Sequence, residues 1–205
     1  MPDDPAFIRM IAAAPEDDAP RLVYADYLEE TGDPAKMAWA ELIRVQVEKV
    51  RLVPHTRRWT ELRRREKALL DREHEWRPEL PVIEGIEYAT FHRGFIDHIL
   101  ASRASLHRHL SLIVQRIPLR ILTLSKVDVR SFRKFSQTPE FTQIEELRFV
   151  PGSRFSSALT KALAKRGVWP KLRRVSLNMM PTEFLALPPD EMVALTEAFG
   201  DRLRF

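Results

Sequence analysis

One short pattern recurs in the second half of the chain and limits its fold more than any other feature. Leu119-Arg-Ile-Leu122-Thr-Leu124, Ile144-Glu-Glu-Leu147-Arg-Phe149 and Leu172-Arg-Arg-Val175-Ser-Leu177 all fit LxxLxL, with central positions 25 and 28 residues apart. In an extended segment successive side chains alternate between faces, so the first, fourth and sixth residues of each string turn inward together. A single such rung cannot bury its apolar face, whereas neighbouring rungs stacked on one another make a continuous core.

Helix-like segments separate the strings: Ser131 to Phe141, Ser156 to Gly167 with Leu159 and Leu163, and Pro189 to Phe199 with Gly200 behind it as a helix-ending residue. Strand then helix, at an interval inside the roughly 20–29 residues of leucine-rich repeats, predicts an α/β chain ending in a short, irregular leucine-rich-repeat-like solenoid. The asparagine that regular repeats place after the strand is absent from the first two strings. The competing reading is an ordinary α/β or α+β domain in which three leucine-containing strands recur by chance. On the repeat reading the residues beside the leucines face outward and form the partner-binding surface: Ile121, Thr123 and Ser125, then Glu146, Arg148 and Val150, then Arg174, Ser176 and Asn178.

The first 80 residues read differently. Phe7, Ile8 and Ile11 predict a short helix ending at Pro15; Asp17 or Asp18 with Pro20 starts a second, which Gly32 closes; Asp33-Pro34 starts a third that runs to Pro54. A long helix follows from near Thr56, with Trp59, Leu62, Leu69 and Trp76 on a seven-residue pattern interrupted by Glu66 and Glu73. These helices suit a module over residues 1–80 that caps a repeat array over residues 81–205, the boundary falling in the proline-bearing stretch 78–85. Ile86 to Phe91 and Phe95 to Leu100 are two β-prone runs around His92-Arg93-Gly94, a hairpin-like punctuation.

Several function classes are disfavoured. There is no cysteine, so thiolate zinc sites and cysteine nucleophiles are excluded, and no phosphate-cradling glycine loop or GxSxG occurs among the six glycines. The acidic start and the lack of a long apolar run predict a cytoplasmic protein with no membrane association. Asp26 with Glu29 or Glu30 could be imagined as a catalytic carboxylate pair, but an acidic helix face is more often solvated or salt-bridged. Neither His107 and His109 nor Glu73-His74-Glu75 matches an ordered ligand set, so no metal and no cofactor is expected. Residues 1–80 carry 14 Lys/Arg against 17 Asp/Glu and residues 81–205 carry 19 against 12. The basic surplus therefore lies in the second part. Arg58, Arg65 and Arg72 recur every seven residues beside the tryptophans and form an alternative basic surface, of the kind that tracks a nucleic-acid backbone. Interleaved Glu61, Glu66, Asp71, Glu73 and Glu75 fit intra-helix pairing instead.

The stretch Ala6–Gln46, and above all PEDDAPRLVYADYLEETGDP followed by ELIRVQ, resembles the repeat-companion domain, a short bacterial module often followed by leucine-rich-like repeats. His92-Arg-Gly-Phe95-Ile-Asp-His-Ile99 is similar to the strand that tends to precede those repeats. The resemblance implies an architecture and an interaction role, and no enzymatic activity. The expectation from sequence is thus a non-enzymatic scaffold or adaptor binding a protein partner of some acidic character, the alternative being a nucleic-acid-associated accessory subunit.

Overall fold

In the computed structural model, residues 5–78, 80–89, 91–102, 106–125, 129–135, 137–150, 157–164, 170–178, 181–185 and 187–204 are described. Four helices come first: α1 (Pro5–Ala13), α2 (Ala19–Glu30), α3 (Pro34–Val50) and α4 (Arg57–Leu70). Their boundaries follow from local chemistry. The Asp17 carboxylate accepts from the Ala19 N–H at 2.9 Å, Asp33 does the same for Ala35 at 2.9 Å, and the Thr56 hydroxyl accepts from Trp59 at 3.3 Å. Pro20 and Pro34 occupy first-turn positions where a missing N–H costs nothing. Gly32, at φ 67°, turns the chain out of α2.

The chain divides into two compact units. The first comprises residues 1–80 together with 90–96 and 115–118. In it α1 packs on α2, α2 on α3 and α3 on α4. An aromatic core joins them: Tyr24 lies 5.0 Å from Phe7, 5.3 Å from Trp39 and 5.6 Å from Phe95 between ring centroids. Ion pairs order the helix contacts, Arg44 joining α3 to Asp26 and Glu29 on α2, while Arg58–Glu48 and Arg65–Glu41 run in opposite numerical order between α4 and α3. That order is the signature of an antiparallel pair.

The segment after the helices carries the expected hairpin turn: His92 and Phe95 pair antiparallel around Arg93 and Gly94, the His92 N–H donating to Phe95 O at 2.8 Å and the Phe95 N–H to His92 O at 3.1 Å, while the strands proper are shorter than the β-prone runs. Strands β1 (Ile86–Tyr88) and β2 (His98–Ala101) are antiparallel, but residues 91–96 are not strand and belong to the first unit. Phe91 and Phe95 are buried there, Phe91 5.2 Å from Trp76 and Phe95 5.6 Å from Trp39. Gly94, at φ 83°, presses on α3 so closely that a Cβ would stand 2.6 Å from Ile43 Cα. Gln46 fixes the loop from both sides: its Oε1 accepts from the Gly94 N–H at 2.6 Å, and its Nε2 donates to Phe91 O at 3.1 Å and to Glu66 at 2.7 Å. Trp39 Nε1 donates to Gly94 O at 2.7 Å. Arg93, at φ 50°, reaches the carbonyls of Pro15 and Glu16 and the carboxylate of Asp18, which also pairs with Arg51.

The second unit holds residues 81–89, 97–114 and 119–205. After β2 come α5 (Leu106–Val114), β3 (Ile121–Leu124), α6 (Val129–Phe135), β4 (Glu146–Phe149), α7 (Ser157–Leu163), β5 (Arg174–Ser176), α8 (Pro181–Leu185), α9 (Pro189–Phe199) and β6 (Leu203–Arg204). The expected helix Ser131 to Phe141 is instead α6 and a 3-10 turn at Pro139–Gln143, while Ser156 and residues 165–167 of the next expected helix lie outside the described residues. The six strands form one mixed, mostly parallel sheet in chain order β1-β2-β3-β4-β5-β6, with only the β1–β2 pair antiparallel. Helices α5, α6, α7 and α9 touch one another in chain order.

Inward residues of the LxxLxL strings are all buried, Leu122, Leu147 and Val175 completely so, and they align across the sheet with Ile99 and Leu203. One residue before β2, β3 and β4 the backbone repeats itself. Asp97 O accepts from the N–H groups of Arg120 and Ile121, Arg120 O from Glu145 and Glu146, and Glu145 O from Arg173 and Arg174. The side chains there form a ladder of alternating charge, Arg120 standing 3.0 Å from Glu145 and 3.7 Å from Asp97.

Candidate docking surface

Alternation along each strand puts its other side chains on the opposite sheet face. The register lines them up in two rows: His98, Ile121, Glu146 and Arg174 in one, and Glu87, Leu100, Thr123, Arg148, Ser176 and Arg204 in the other. All are half-buried or exposed. Ser125 and Val150 continue past the ends of β3 and β4, their N–H groups donating to Ala101 O at 2.9 Å and Leu124 O at 3.0 Å. Asn178 follows β5 at φ 46°, and its side-chain amide donates to Phe149 O on the neighbouring strand. The nine residues expected from sequence are thus brought to one face and its C-terminal margin. Sequence reasoning missed His98, Leu100, Glu87 and Arg204. The signal for two of them was present, since Ile96-Asp-His-Ile99-Leu-Ala101 is itself a worn LxxLxL with Ile96, Ile99 and Ala101 buried.

Polar groups on this face are partly ordered. His98 Nε2 lies 2.8 Å from Thr123 Oγ1. Burial, and after it the Arg148 guanidinium, hold the His98 imidazole below its usual range, with Asp97 and Glu146 acting the other way. Glu146 sits between two arginines: Arg148 Nε donates to it at 2.8 Å, and Arg174 stands 3.6 Å away.

The alternative basic surface has a different character. Because α4 ends at Leu70 rather than running on to Pro78, Arg72 leaves the helix and pairs with Glu75 at 2.5 Å, so only Arg58 and Arg65 of the expected stripe lie on α4. Trp76 folds back beyond a 3-10 turn at Glu73–Glu75, its Nε1 donating to Leu69 O at 3.0 Å. Arg58 holds Glu48 with two nitrogens and Arg65 holds Glu41 in the same way, and hydrogen bonding from Arg58 keeps the Glu48 carboxyl below its usual range. A shallow groove of about 750 Å³ beside these helices, lined by Met37, Ala38, Leu69 and the rim residues Arg44, Arg65 and Arg72, carries guanidiniums that each already face a carboxylate.

The suggested carboxylate pair is likewise occupied, since Asp26 and Glu29 both bind Arg44. Residues 107–109 fall in a helix, where positions two apart face different ways, and no group of three or more candidate metal ligands occurs among the described residues. No described helix is long and apolar enough to cross a membrane. Compared with protein-family models, curated proteins and solved structures, the chain returns no match.

Proposed function

We propose that this chain is a non-enzymatic interaction module, a scaffold or adaptor, in which a short and irregular leucine-rich-repeat-like array follows a repeat-companion-like helical module and docks a protein partner on its open sheet face. The observation that carries the reading is the alignment of polar side chains across five parallel strands laid down in chain order. Three further features support the repeat element. The aligned positions Ile99, Leu122, Leu147, Val175 and Leu203 fall 23, 25, 28 and 28 residues apart, inside the usual repeat range. The backbone pattern before β2 recurs before β3 and β4. Asn178 ties its own rung to the carbonyl of the one before. Against the Arg58, Arg65 and Arg72 stripe as a nucleic-acid surface stand the ion pairs of these three arginines, which leave the stripe itself little unmatched charge for a phosphate backbone.

Site-specific photo-crosslinking tests the assignment. A benzophenone side chain at Thr123 or Ser176 should capture a discrete protein in lysate of the source organism, and one at Thr60 on the helical unit should not. Capture from Thr60 with none from the sheet positions would move the docking surface to the helices.

A further inference from the structure

Resting on that reading, we infer that the partner meets the open face with an acidic segment, whose carboxylates are received by the guanidiniums of Arg148, Arg174 and Arg204. The basis is a difference between the arginines of the sheet face and those around the helical groove, Arg44, Arg58, Arg65 and Arg72. Arg44, Arg58 and Arg65 each put two nitrogens on carboxylates, and Arg72 pairs with Glu75 through Nε and a terminal nitrogen. On the sheet this is not so. Arg148 donates only through Nε, and among the described residues its two terminal nitrogens meet no acceptor. Arg174 approaches Glu146 at 3.6 Å, an ion pair without a hydrogen bond. Arg204 donates from one terminal nitrogen to the carbonyls of Asp201 and Leu203, and among the described residues its charge meets no carboxylate.

The side chains of Arg148 and Arg174 are 36% and 54% exposed, whereas Glu146, which serves both, is 14% exposed. The carboxylate is thus sunk between two cations that are themselves more open to solvent. Guanidinium forks in this state receive a carboxylate with two parallel hydrogen bonds. Register places Arg148, Ser176 and Arg204 on three consecutive strands, the Ser176 hydroxyl donating to Asn178 Oδ1 at 3.3 Å, so the two arginines stand two strand spacings of about 4.8 Å apart. Over β4 to β6 the face therefore holds three arginines against one glutamate, and at the far edge Glu87 repels an acidic chain. The segment is oriented by that asymmetry, acids over β4–β6. A nucleic acid is the weaker fit, because three cations with a glutamate among them release few counterions.

A fluorescein-labelled octaglutamate peptide is the probe, titrated into the full chain at low salt. Binding should weaken by about tenfold or more in Arg148→Gln/Arg174→Gln, a pair that keeps most of each aliphatic stem and removes the charge. It should stay within about twofold in Arg58→Gln/Arg65→Gln/Arg72→Gln, whose exposed pairs contribute little. Glu146→Gln should tighten it several-fold, because the competing carboxylate is gone while an acceptor for Arg148 Nε remains; a merely structural Glu146 would not produce a gain. Circular dichroism checks that each variant keeps its fold. The inference is overturned if the sheet variant binds octaglutamate as the native chain does, or if Glu146→Gln weakens binding. It is also overturned if a thymidine oligonucleotide binds more tightly than the peptide and loses that binding in the sheet variant. Failure of octaglutamate to bind, with crosslinking from Thr123 and Ser176 intact, removes the acidic assignment and leaves the docking face standing; loss of both removes the docking reading itself.

Discussion

Gly94 and Ile43 are in backbone contact across more than fifty positions of sequence, so close that a Cβ on the glycine would stand 2.6 Å from Ile43 Cα. The glycine N–H and C=O are both engaged there, by Gln46 and Trp39. Gly94→Ala combines a left-handed φ of 83° with a collision against main chain, and should destabilise the protein by roughly 2–5 kcal/mol. A urea midpoint within experimental error of the native chain would show that the loop can shift away from α3.

The inward leucines give a second prediction. Leu122→Ala, Leu147→Ala and Leu177→Ala each remove a side chain that is essentially fully buried, and each should lower stability by about 2–5 kcal/mol. Chemical denaturation of the three variants checks this, and near-neutral effects at two of them would contradict the packing.

Arg120, itself half-buried, stands between two buried carboxylates, 3.0 Å from Glu145 and 3.7 Å from Asp97. Arg120→Ala leaves both acids buried without their cation, which should destabilise by about 3–5 kcal/mol, far more than the loss of an exposed pair such as Arg57–Glu61. Thermal melts of the two single variants side by side provide the comparison; equal shifts would mean that the ladder is solvated.

His98 gives the chain a pH dependence of defined sign. Its folded pKa lies below the value of about 6.5 expected when unfolded, because the ring is half-buried and Arg148 is near. Between the two values the folded state holds fewer protons than the unfolded one, so stability rises with pH across that window. Lowering the pH through about 6.5 should therefore reduce the melting temperature, with this residue's share levelling off below its folded pKa. His98→Gln should flatten that part of the profile, and superimposable profiles for the two proteins would show that the imidazole is not responsible.

Much of this was legible from local signals. Asp33-Pro34, Thr56 and Gly32 mark helix ends because caps and turns depend on residues a few positions apart. The outward residues of β3, β4 and β5 followed from simple alternation. What escaped depends on distant partners. The hairpin turn at His92–Phe95 was readable, but the burial of Phe91 and Phe95 against Trp76 and Trp39 was not, because those partners lie far away in sequence. The stop of α4 at Leu70 is likewise hidden, as Trp76 continues the heptad on paper but folds back onto Leu69 in space. The basic stripe showed the same limit. Its charges could be counted, but their partners Glu41 and Glu48 sit on another helix.

The first unit draws residues 90–96 and 115–118 into itself, so it is not finished when its helices are. All four are encoded by Leu70, yet Phe95, which closes the aromatic core, and buried Ile117 come later. At about 5–20 residues per second, a ribosome needs a few seconds to go from the one point to the other. Throughout that interval the nascent helices carry an uncovered patch around Tyr24 and Trp39, and a chaperone that holds apolar surface has its opportunity there.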